Sequence, residues 1–114
     1  MQRSFHVHVQ PQADAALLAV SGELDIATAP ELEQALDQIS PEQTKLVVVD
    51  LRELEFMDST GLSTLVRAHQ RLSEHDCELT LVKGPPQVQR LLDLTGVAER
   101  LRVGSEPGEL LDSR

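Results

Sequence analysis

KLVVVDLRELEFMDSTGLSTLVRAH, residues 45–69, decides how the rest of this chain reads. Residues 45–51 form a near-continuous apolar run, the pattern of a strand whose two faces are both covered in a parallel or mixed sheet. From about residue 60 to 74 the period changes: Leu62, Leu65, Val66, His69 and Leu72 share one helical face, and Ser63, Arg67, Gln70, Arg71 and Glu74 take the other. Between the two lies DSTG (58–61), an acid, two hydroxyls and a glycine at a strand-to-helix junction. Strand, short polar loop and helix together make half of an α/β unit.

The flanking sequence repeats the pattern. FHVHV (5–9) alternates as a half-buried strand, with Phe5, Val7 and Val9 on one face and His6 and His8 on the other. ALLAVSGEL (16–24) is a second covered strand. Leu32, Ala35, Leu36 and Ile39 keep helical spacing until Pro41 stops it. Thr28, with Glu31 three residues later, has the form of a capping box, although Pro30 makes Ala29 a rival for the cap. Further on, ELTLV (78–82) reads as a strand, PQVQRLLDLTG (86–96) as a short helix closing at Gly96, RLRV (100–103) as a last strand, and SEPGELLDSR (105–114) as an amphipathic turn or two. The expected fold is α/β: one domain over residues 1–114, with a mixed, mostly parallel sheet and alternating helices.

Composition narrows the function. A net charge of -9 and a pI near 4.7 disfavour nucleic acid and anionic membranes as partners. With no Trp, no Tyr and two Phe, the chain has few platforms for base stacking. No stretch approaches the roughly 18 apolar residues of a membrane span, and the polar start MQRSFHVHVQ lacks the apolar centre of a signal peptide, so a cytoplasmic protein is expected. The lone Cys77 falls in an apolar, strand-like run and reads as core. His6 and His8 are two ligands without a third, and Lys83-Gly84 lacks the glycine spacing of a P-loop; no cofactor or metal is expected. Glu31, Glu33, Asp37, Glu42, Glu53 and Glu55 read as a solvated acidic face.

Parallel strands send their strand-to-helix loops to one edge of a sheet, where sites usually form. SGELD (21–25), FMDSTG (56–61) and KGPP (83–86) should therefore meet on one rim. Within DSTG, three readings of the hydroxyls compete. Asp58 or Ser59 caps the free N–H groups of the helix; or the same N-terminus favours a phosphoryl group on Ser59; or Ser59 is a catalytic nucleophile. The last fits poorly. G-x-S-x-G is missing, and His69, ten residues further along the same helix, is about 15 Å away at 1.5 Å per residue.

Taken together, GELDIATAPELEQAL (22–36), VVVDL (47–51) and above all FMDSTGLSTLV (56–66) resemble the STAS domains of bacterial anti-sigma-factor antagonists, over nearly the whole chain. The resemblance implies a non-enzymatic protein that binds an anti-sigma factor and frees the sigma factor. It implies inactivation when that partner, a serine kinase using ATP and a divalent metal, phosphorylates Ser59, and a separate phosphatase that restores the active form. Asp25 matches a rim aspartate and Asp58 the acidic neighbour of the target hydroxyl. Glu23, Asp25, Asp58, Ser59, Thr60, Gly61, Ser63 and Arg67 are then expected at the partner surface, Ser63 standing where many relatives carry glycine. A STAS scaffold or transporter-associated subunit without a phosphorylation cycle is the other role such a module can have.

Overall fold

Apolar alternation on the central strands sorts this molecule into two unequal layers. The computed structural model describes residues 4–112. Strands β1 (Phe5–Gln12), β2 (Ala15–Leu24), β3 (Leu46–Met57), β4 (Glu78–Val82) and β5 (Val103–Gly104) lie side by side in that order. β1 pairs antiparallel with β2, and every other pair is parallel, so the sheet is mixed and mostly parallel as the sequence implied. Helices α1 (Ala29–Asp37), α2 (Ser59–Ser73), α3 (Pro86–Thr95), α4 (Val97–Arg100) and α5 (Pro107–Leu111) fill the connections and the C-terminal end.

The main core is one cluster. It joins Leu18 and Val20 of β2, Val47, Val49 and Leu51 of β3, and Leu79 and Leu81 of β4 to Leu32 and Leu36 of α1, Leu65 and Leu72 of α2, and Val88 and Leu92 of α3. Residues of opposite parity, Ala15, Leu46, Val48 and Val82, face the other way and meet only a short helix, through Leu110 of α5. Both faces are therefore apolar at the centre, which is why 45–51 is a continuous run rather than an alternating one. Cys77 is buried in the main core, and burial pushes its thiol pKa up, as for an inert packing residue.

Several boundaries differ from those the sequence suggests, each for a local reason. β3 continues six residues past Leu51, to Met57. Its buried side chains there are Leu51, Leu54 and Met57, spaced by three, and irregularities between Ala19 and Ser21 and between Gly22 and Glu23 absorb the mismatch against β2. β1 likewise extends to Gln12 along its hairpin partner. α1 ends at Asp37, so Ile39 packs into the core from beyond the helix. The last strand starts later than RLRV suggests: Arg100 closes α4, and β5 takes in only Val103 and Gly104. The capping box is also absent, because the Thr28 hydroxyl is engaged elsewhere.

Candidate functional site

The C-terminal ends of β2, β3 and β4 put three loops on one rim, and hydrogen bonds tie them together. The Asp58 N–H donates to the Leu24 carbonyl at 3.1 Å, joining the second loop to the first. Gln87 Nε2, in the first turn of α3, donates to the Glu55 carbonyl at 2.8 Å, joining the third loop to the end of β3. SGELD, FMDSTG and KGPP are thus neighbours, as the parallel topology requires.

The first loop is a closed polar knot. Asp25 is 5% exposed, and its Oδ1 accepts from the N–H groups of Ala27 (2.9 Å) and Thr28 (3.2 Å). The buried Thr28 hydroxyl donates to the Glu23 carbonyl at 2.7 Å and accepts from the Asp25 N–H at 3.0 Å. Asp25 was expected on the partner surface; it is instead an internal brace that shapes the loop. Glu23 is half-buried. What this loop presents outward is an apolar side chain, Ile26, 75% exposed.

The second loop is open. Asp58 is the N-cap of α2, its Oδ1 accepting from the Gly61 N–H at 3.0 Å, so the cap is the acid and not the hydroxyl beside it. Ser59 follows as the first helical residue and is exposed; Thr60 is half-buried. Gly61 is buried, and a Cβ there would come within 2.6 Å of Leu24 Cγ, so glycine is what lets the start of α2 lie against the first loop. Phe56, 44% exposed, adds a second apolar side chain at the end of β3.

Along α2, Ser63 and Arg67 are exposed. Arg67 lies 3.7 Å from a Glu33 carboxylate oxygen and 3.5 Å from the Thr64 hydroxyl. Arg71, one turn on, donates to the Leu36 carbonyl at 2.8 Å and sits 3.8 Å from Asp37. These residues line a cleft of about 190 Å³ between α1 and α2. Glu33 and Asp37, expected as a solvated face, are exposed but paired across it. Arg67 is accordingly a cation already shared with Glu33, loosely enough to be redirected.

Of the residues the sequence singled out, the structure places Ser59 exposed beside its cap Asp58 and Gly61 buried behind them; beside these it exposes two apolar side chains that were not singled out, Ile26 and Phe56. The signal for Ile26 was present: a β-branched apolar residue inside GELDIAT has no place in a loop that must otherwise face water. His69, half-buried on α2, leaves a buried Nδ1 without a hydrogen-bond partner, and the hydrogen bonds of the described residues include none between Ser59 and a histidine. His6 and His8 are exposed on the sheet face opposite the main core, and no group of three or more potential metal ligands occurs among the described residues. No described helix is long and apolar enough to cross a membrane.

Comparison with known proteins bears on both fold and site. A family model described as STAS domain matches residues 6–109. The chain is 36% identical over 84 residues to an anti-sigma-B factor antagonist of Staphylococcus aureus, covering 74% of this chain and 78% of that one. It is 33% identical over 91 residues to the anti-sigma-B factor antagonist of Listeria monocytogenes, covering 80% of each. Among solved structures it resembles an anti-sigma factor antagonist from Mycobacterium paratuberculosis, with a TM-score of 0.88 at 28% identity, covering 96% of this chain and 93% of that one.

Proposed function

This chain belongs to the STAS domain family, and from that premise we propose that it is a cytoplasmic anti-sigma-factor antagonist switched by phosphorylation of Ser59. It docks on an anti-sigma factor through the rim, frees the sigma factor, and performs no catalysis itself. The partner is a serine kinase that supplies ATP and a divalent metal, and a phosphatase reverses the mark. Glu23, Asp58, Ser59, Thr60, Ser63 and Arg67 make up the polar part of the docking face, while Asp25 and Gly61 act from behind it by fixing the two loops.

The observation that carries this reading is the division of labour at the start of α2. Asp58 already caps the helix through the Gly61 N–H, and Ser59 beside it is exposed. A phosphate added there meets the favourable end of the helix dipole and leaves the fold intact. Against a partner, the same group brings about -1.5 to -2 charges beside Asp58. A hundredfold loss of affinity needs only about 2.7 kcal/mol, well within what an uncompensated phosphate costs in an interface.

The test is direct. Purified chain is mixed with Mg-ATP and an anti-sigma factor kinase encoded in the same genome, and peptide mass mapping reads the position of any phosphate. Phosphate on Ser59, with release of the complex and with Ser59→Ala binding permanently, is the expected result. Tight binding with no phosphate anywhere would leave a scaffold subunit as the correct role. Phosphate on Thr60 in its place would mean that exposure does not select the acceptor.

A further inference from the structure

A second surface starts in the third rim loop, KGPP, and continues along α3, sharing none of the residues proposed for the Ser59 docking face. The chain has ten Lys and Arg against nineteen Asp and Glu, and most of the described arginines are spoken for. Arg52 pairs with Asp50, Arg67 with Glu33, Arg71 with Asp37 and Arg102 with Glu78. Lys83 and Arg90 have no ion pair among the described residues, and both line one cleft of about 500 Å³, with Gly84, Pro86, Gln89, Asp93 and Leu94.

Its geometry follows from the period of α3. Val88 and Leu92 face the core, so Pro86, Gln89, Arg90, Asp93 and Leu94, at spacings of three and four, form the opposite stripe. Leu94 ends the stripe 78% exposed, more than any other large apolar residue described. The acid in the cleft, Asp93, is engaged by the Gln89 side-chain amide at 3.1 Å, whereas the two cations remain open to a partner. From Pro86 to Leu94 the stripe spans about 12 Å, the length of roughly two helical turns.

Two unpaired cations, an apolar ring and an exposed leucine on a chain of charge -9 are a local reversal of the surface. We propose that this α3 stripe is a docking groove for an acidic amphipathic segment of a second protein, carboxylates meeting Lys83 and Arg90 while an apolar side chain covers Leu94 and Pro86. Charge complementarity selects that occupant over a basic one. An anionic membrane would also meet the two cations, but the remaining surface of a strongly acidic chain repels it. The groove shares no residue with the Ser59 face, so this inference does not depend on the proposed switch.

Isotope-labelled full chain, titrated with a synthetic peptide of Glu and Leu at helical spacing, tests it by amide chemical shifts. Saturable shifts at Gly84, Gln89, Arg90 and Leu94 are expected, weakening with salt and absent with a peptide in which Lys replaces Glu. Lys83→Glu combined with Arg90→Glu should weaken binding at least tenfold, Leu94→Ser several-fold, and Ser59→Ala not at all. Thermal melts of these exposed-site variants should match the parent. The proposal is overturned if neither peptide gives saturable shifts, if the Lys peptide binds equally, or if charge reversal leaves binding intact. Vesicles of phosphatidylglycerol engaging the same residues where the peptide does not would overturn it as well.

Discussion

Asp25 with Thr28, and Asp58 with Ser59 and Thr60, are nearly the same set of side chains placed at the start of two successive helices, α1 and α2. In the first loop every one of them is turned inward. Asp25 and Thr28 are buried, and between them they satisfy three backbone N–H groups and a carbonyl. In the second loop only Asp58 is spent on the backbone, and Ser59 is left facing water. The difference comes from where the cap falls. An aspartate four residues upstream of the helix start turns back onto the N–H groups of its own loop, Ala27 and Thr28, while an aspartate at the cap position reaches a helical N–H directly. One loop is therefore architecture and the other is an available surface held in place by it.

That contrast is broken most severely at Gly22, on the way into the closed loop. Its φ of +93° lies where side chains are strained, and a Cβ would collide with the Ser4 carbonyl. Gly22→Val is expected to cost more than about 3 kcal/mol, read as a lowered urea midpoint. Next in size is Asp25→Ala, which strips the buried Thr28 N–H and the part-buried Ala27 N–H of their shared acceptor, at about 2 kcal/mol. Asp25→Asn retains Oδ1 and should recover most of that loss. If Asp25→Ala melts like the parent, the first loop is not the brace described above. Asp58→Ala, losing one exposed-end cap, should cost about 1 kcal/mol by the same measurement.

How much of this could be read in the chain itself differs between the two loops. Ser59 and its cap were legible because strand, cap and helix follow one another without a gap, so local rules suffice. Asp25 was not, since nothing in GELD says whether the carboxylate turns back or out; that depends on Thr28 finding the Glu23 carbonyl. The same limit explains β3. Leu51, Leu54 and Met57 are three apart, a spacing that matches no strand period, and only the irregular pairing with β2 makes it one. Arg100 and Val103 sit close together in an alternating stretch, yet one ends a helix and the other starts a strand, because Gly96 in a left-handed conformation allows a further helical turn after α3. An exposed apolar residue on a helix, such as Leu94, escapes pattern reading, which assumes that apolar means buried.

The smallest expected effect is the most informative about the open loop. Ser59→Ala removes a hydroxyl for which no bonded partner is seen among the described residues, and should change stability by less than about 0.5 kcal/mol. Ser59→Glu places a negative charge in the first turn of α2, where the helix dipole favours it by about 0.3–1 kcal/mol, and sets it beside Asp58, which opposes it. The two terms are of similar size and opposite sign, so the melting temperature should again hardly move. Yet Ser59→Glu carries less charge than a phosphate and should weaken partner binding only in part. A stability change near that of Asp25→Ala would mean that Ser59 is structural after all, and the two loops would cease to differ in kind. Unchanged stability with altered binding would instead place the whole consequence of the added charge outside this molecule, on whatever meets the rim.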